Sequence, residues 1–130
     1  MANKSIQMKD GSDNLYPVSS VLENISSHFV FQPSSGSGFA TVFLDKVNKI
    51  VRGHLFAYNI PPVNNSTPIY MIDSGYRPVS GNWGFPAIIM INDKSYTYNG
   101  VIRTDGKVVQ SLSSQAQATG IYMSFEYKLT

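Results

Sequence analysis

From Phe39 onward the apolar residues fall into short runs rich in β-branched and aromatic side chains, and the last ten residues alternate strictly. In IYMSFEYKLT, Ile121, Met123, Phe125, Tyr127 and Leu129 share one face. Tyr122, Ser124, Glu126 and Lys128 share the other. A period of two means a strand with one buried face and one that meets water or a polar contact. FATVFLDK and NKIVRGHLFAYNI read as a hairpin turning over Asp45–Asn48. In its second strand His54 shares a face with Arg52 and Phe56, and Gly53 marks a bulge or a close neighbouring backbone. PPVNNSTP interrupts the chain, IYMI is a short strand, and AIIMIN reads as a strand buried on both faces. In SYTYNGVIRTDGKVVQSL, Asp105-Gly106 fits a type I′ turn. That turn would set Thr104 opposite Lys107 and Ile102 opposite Val109. SSQAQATG is a polar loop.

Residues 1–32 read differently. IQMKDGSDNLYPV predicts a small hairpin, with Ile6 and Met8 on one arm and Leu15 to Val18 on the other. Val18, Leu22, Ile25 and Phe29 are spaced 4, 3, 4, and Ser20 with Glu23 fits a capping box. This predicts a short helix, packed on its own domain or against copies of itself. The Ser/Gly/Pro stretch QPSSGSG, Gln32 to Gly38, is the best boundary. It divides an N-terminal segment (1–36) from a strand-rich body (37–130). With six to eight strands, the expected fold is all-β: an antiparallel barrel or sandwich, jelly-roll-like, with a short extended or helical N-terminal shoulder.

Composition narrows the function. At 130 residues the chain has room for one core. Charged residues make up 14%, against roughly 25% in typical soluble proteins, and the formal charge is +2. With no Lys/Arg cluster, no nucleic-acid partner is expected. No apolar run is long enough for a membrane-spanning helix. The N-terminal residues lack the apolar core of a Sec signal, so synthesis in a cytosol is expected. There is no cysteine, hence no disulfide framework or thiolate metal site.

The catalytic inventory is thin. The two histidines, His28 and His54, stand in no metal-binding spacing. No serine stands in a Gly-x-Ser-x-Gly elbow. The carboxylates are dispersed, and Asp93 and Asp105 belong to turns. SSGSGFA lacks the lysine and the following helix of a phosphate loop. We therefore expect no enzyme, cofactor or metal.

Aromatic residues are 12% of the chain: eight Tyr, seven Phe and one Trp. The phenylalanines read mostly as core. Tyr58, Tyr70, Tyr76, Tyr96, Tyr98 and Trp83 lie near turns or on mixed faces. Such rings are either half-buried in a small β-domain or presented to a ligand. A sugar stacks its C–H faces on rings while polar side chains read its hydroxyls. DSGYRPVSGNWGFP, Asp73 to Pro86, reads as a loop in which glycines let Trp83 present its face while Asn82 offers hydrogen bonds.

At Gly75-Tyr76-Arg77-Pro78 a resemblance emerges. Residues 37–130 resemble the trimeric β-barrel heads of bacteriophage tail receptor-binding and tail-fibre proteins, above all those of siphophages of Gram-positive bacteria. The pattern runs in order: the strand pair FATVFLDKVNKIVRGHLFAYNI, the loop ending in GYRP, the strand AIIMI, the hairpin GVIRTDGKVVQS and the closing strand GIYMSFEYKLT. IQMKDGSDNLYPV is similar to the start of many tail appendage proteins. The resemblance implies a homotrimer in the tail tip or baseplate of a virion. It would bind host cell-wall polysaccharide at clefts between protomers, and its N-terminal segment would join other tail proteins. Trp83 and Asn82 are the foremost candidates for ligand contact, with His54, Arg52 and Asp73 nearby. Tyr76 and Arg77 are candidates too, although packing inward and pairing across the trimer are the expected roles of that pair. The alternative is a purely structural tail component that binds no glycan.

Overall fold

The structure is a computed structural model that describes residues 7–9, 15–17, 21–62, 66–110 and 117–129. β1 (Gln7–Lys9) and β2 (Leu15–Pro17) form the expected N-terminal hairpin, with Met8 opposite Tyr16. The residues of its turn lie outside the described set.

The rest is one antiparallel sheet. Its strands are β3 (Leu22–Asn24), β4 (Phe29–Phe31), β5 (Ser37–Asp45), β6 (Ile50–Ile60), β7 (Tyr70–Ile72), β8 (Trp83–Ile91), β9 (Lys94–Ile102), β10 (Lys107–Gln110) and β11 (Ala118–Lys128). They lie in the order β3-β5-β6-β11-β8-β9-β10-β7-β4. The fold is all-β, as the alternation required, and the sheet curls into a half-barrel. The two edge strands, β3 and β4, are consecutive in the chain. Only Ile25 and a 3-10 turn, Ser26–His28, connect them. So short a link spans less than about 18 Å, so the edges must approach each other. The link is tied at both ends. Ile25 N–H donates to the Val42 carbonyl (2.9 Å), and the Val42 N–H donates to Ser26 Oγ (2.9 Å). On the other side the Asp73 N–H donates to the His28 carbonyl (2.9 Å).

The expected helix through Leu22, Ile25 and Phe29 is therefore corrected to strand, turn, strand. Ile25 and Phe29 do face the core, but Leu22 is 51% exposed. Asn24 Oδ1 accepts the Ser26 N–H (3.0 Å) and turns the chain where a helix would continue. A two-turn helix is marginal by itself, and two sheet edges offer this segment backbone partners instead. Ser20 and Val18 lie outside the described residues. The boundary at 36/37 falls between β4 and β5, two strands of this same sheet.

Inside the curl, Val51, Leu55, Ile89, Ile121, Met123 and Tyr127 are sealed from water. Two glycines allow close packing. A methyl at Gly53 would collide with the Thr41 carbonyl on the paired strand, and one at Gly100 with the Phe85 ring. The close approach expected at Gly53 is there.

Two strand readings change. β8 begins at Trp83, which pairs with Ile102 and opens a strand where a loop was expected. It is also one-sided: Phe85, Ala87 and Ile89 are buried, while Ile88 is 45% exposed. The type I′ turn stands at a different hairpin from the one expected. Asn92 and Asp93 both have positive φ (50° and 64°) and make the two-residue turn between Ile91 and Lys94, as a type I′ turn requires. At Asp105-Gly106 only the glycine has positive φ (90°). The Gly106 N–H donates to the Arg103 carbonyl (3.0 Å), and the Arg103 N–H donates to the Lys107 carbonyl (3.0 Å). This three-residue loop with its glycine bulge sets Ile102 opposite Val108, one residue from the expected Val109.

Candidate functional site

The outer face of β5, β6, β11 and β8 carries an ordered set of rings and polar groups. Strand pairing aligns them in rows across the sheet. Phe39 faces Phe56, Phe56 faces Tyr122, and Tyr122 faces Ile88. The next row along the strands is Thr41, His54 and Ser124. The one after is Phe43, Arg52 and Glu126. These are the outward positions of strands whose alternate residues fill the core, so alternation alone places them together.

The rings form one cluster. His54 and Phe56 lie nearly parallel with centroids 6.4 Å apart, Phe39 stacks beside Phe56 at 6.3 Å, and Tyr122 meets Phe56 edge-on at 5.7 Å. Beside it lies a shallow depression of about 420 Å³ lined by Thr41, Phe43, Arg52, His54, Ser124 and Glu126, among others. His54 Nδ1 is 2.8 Å from Ser124 Oγ, and Arg52 Nε is 3.6 Å from Glu126 Oε1. That ion pair is about 60% exposed on both sides, so it is weakly held and both partners can turn to a ligand. The depression thus offers hydroxyls, a guanidinium, a carboxylate and an imidazole beside aromatic surface, with one formal positive and one formal negative charge.

The sequence-derived site residues divide between two places. His54 and Arg52 stand in this depression. The others belong to the end of the curled sheet. Asp73 pairs with His28 (3.0 Å), whose ring stacks on Tyr76 with centroids 4.1 Å apart. The Tyr76 carbonyl accepts the buried Tyr127 hydroxyl, and Arg77 Nε donates to the Ile72 carbonyl (2.7 Å). Tyr76 is partly buried against the core. Trp83 is half-buried on the core side of β8, its Nε1–H donating to the Ser80 carbonyl (3.2 Å), and Asn82 beside it is exposed. His28 and His54 have different partners, and among the described residues no three acidic, His or Cys side chains form a metal-binding group.

Phe39, Phe43 and Phe56 correct the reading of phenylalanines as core. Phe39 is 60% and Phe43 38% exposed. The signal that finds them was present: Phe56 alternates with Leu55 and Ala57, so it must point out with His54, and Tyr122, Ser124 and Glu126 complete that face. Comparison with protein-family models, with curated proteins and with solved structures returned no match.

Proposed function

We propose that this chain is the receptor-binding head of a phage tail or phage-like particle, a non-enzymatic homotrimer that binds host cell-wall saccharide through its outer sheet face. The observation that carries this is the 420 Å³ depression, where hydroxyl, guanidinium, imidazole and carboxylate groups stand beside the exposed Phe43 ring. Such a surface suits a polyol. The exposed Phe43 ring takes a C–H face, Arg52 and Ser124 donate to hydroxyls, and Glu126 accepts. The balanced charges of Arg52 and Glu126 favour a neutral sugar over a polyanion. The ordered resemblance to phage heads and the all-β fold support the same conclusion. Weak single-site binding would be multiplied by several sites per particle. On this proposal the N-terminal segment joins other tail proteins.

The test is pull-down on purified Gram-positive cell-wall polysaccharide followed by titration with its oligosaccharides. His54→Ala and Arg52→Ala are expected to weaken binding about tenfold each, which corresponds to about 1.4 kcal/mol. Trp83→Ala reports on the other end of the molecule. Retention by wild type and loss only in Trp83→Ala would move the site to the 73–83 segment. No retention of any form would favour a scaffold without glycan binding.

A further inference from the structure

We infer that the outer apolar row is where copies of this chain pack on one another, Phe39 of one copy seated in the depression beside Ile88 of the next. The inference rests on the oligomeric part of the proposal above and gives it a location.

Phe39, Phe56, Tyr122 and Ile88 are successive partners across four strands. Four strands put about 14 Å between the ends of the row. Both ends are open to water, Phe39 at 60% and Ile88 at 45%. Phe39 is no frayed terminus, since it is paired within a nine-residue strand. An unbroken apolar row of this kind on a paired, rigid sheet marks a contact surface.

Shape and charge both identify the occupant as a second copy. The same face carries a knob and a hole. Phe39 projects from β5, while a depression of about 270 Å³ lies over β11 and β8, lined by Phe56, Pro86, Ile88, Thr97 and Tyr122 among others. A cavity of about 150 Å³ accepts a benzene molecule, so this one has room for a phenyl ring. The flanking charges, Arg52 and Glu126, cancel on this face. A balanced face does not repel its own copy and gives no strong attraction to a highly charged partner.

The knob and the hole lie roughly two strand spacings apart on a curled sheet, so they face different directions. A head-to-tail contact seats one knob in one hole at each interface, the arrangement from which a cyclic trimer is built when the rotation between copies closes. Four residues are far fewer than the roughly 20–30 a side of a standard interface, so flanking residues such as Tyr58 must join the row. In a ring each copy makes two such contacts. The depression holding Arg52 and His54 lies one to two rows further along the strands, at the rim of this contact.

The test is light-scattering mass at micromolar concentration, with circular dichroism to verify folding. Wild type is expected at three times the 14.3 kDa chain mass. Phe39→Ser and Ile88→Glu, both at exposed positions, are expected to run at the single-chain mass with unchanged spectra. Val79→Ser, equally exposed but off this face, should stay assembled. A single-chain mass for wild type overturns the inference, as does an assembly that survives both substitutions. Saccharide titration of the same samples separates the two proposals. A wild-type trimer that takes no sugar but dissociates in Phe39→Ser fails the receptor-binding proposal and supports this interface.

Discussion

Three side chains show how burial sets the cost of a polar group. Gln110 is fully buried at the end of β10, and its amide finds no partner among the described residues. A buried amide without a hydrogen bond is destabilising, so an apolar side chain of similar length should be tolerated. Gln110→Met is expected to leave stability unchanged or raise it by about 1 kcal/mol, read from urea unfolding. Tyr70 and Tyr127 solve the same problem by donating to carbonyls, those of Phe56 and Tyr76. Burial pushes the Tyr70 phenol from near 10 up to about 12 and raises that of Tyr127 further. The unfolded chain therefore ionises first. Stability is fully present below pH 10 and falls as pH rises through the window from about 10 to about 12. Tyr70→Phe should make alkaline unfolding less steep in that window, measured by denaturant midpoints at successive pH values. Trp83 belongs to this scale too. Its tryptophan identity and flanking glycines suggested display to a ligand, but its ring packs half-buried against the core. Trp83→Ala should cost about 2 kcal/mol in stability, less than the 3–5 of a fully buried ring.

At the scale of elements, alternation made the long strands legible and turn chemistry left the register open. β5, β6 and β11 stand where the pattern put them. The faces of β11 are those read from IYMSFEYKLT, because a period of two leaves no choice once one face is buried. The Asp105-Gly106 hairpin was placed correctly but shifted by one residue. Asp-Gly serves both a two-residue turn and a three-residue turn with a glycine bulge, and only the backbone angles distinguish them. The helix read from Val18, Leu22, Ile25 and Phe29 failed because four apolar residues over twelve positions do not separate a helical period from a broken strand. Gly53 offers an element-scale test. Because β5 backbone occupies the space of any β-carbon there, Gly53→Ala should part the two strands. A loss of at least about 2 kcal/mol is expected in thermal or urea unfolding.

The whole molecule depends on the link that joins its two edge strands. Ser26 secures it, its Oγ accepting from the Val42 N–H and lying 3.4 Å from the Val42 carbonyl. Ser26→Ala should cost about 1–2 kcal/mol by leaving a part-buried N–H unpaired, and should speed amide exchange at Val42 and Ile25. The approach of the two sheet edges was not readable in advance, since no local pattern records which strands end up at the edges. The same holds for the candidate site. His54 and Arg52 were chosen from one strand, but Ser124 and Glu126 come from β11, 70 or more residues further along the chain. The sequence by itself determined that the chain would be antiparallel β and which residues of β11 would face the core. Tertiary structure alone decided which outward residues become neighbours and that Trp83 turns to the core while Phe39 turns to water. The reason is that periodicity is a property of one strand, whereas a surface is made where strands of distant sequence pair in a particular order and register.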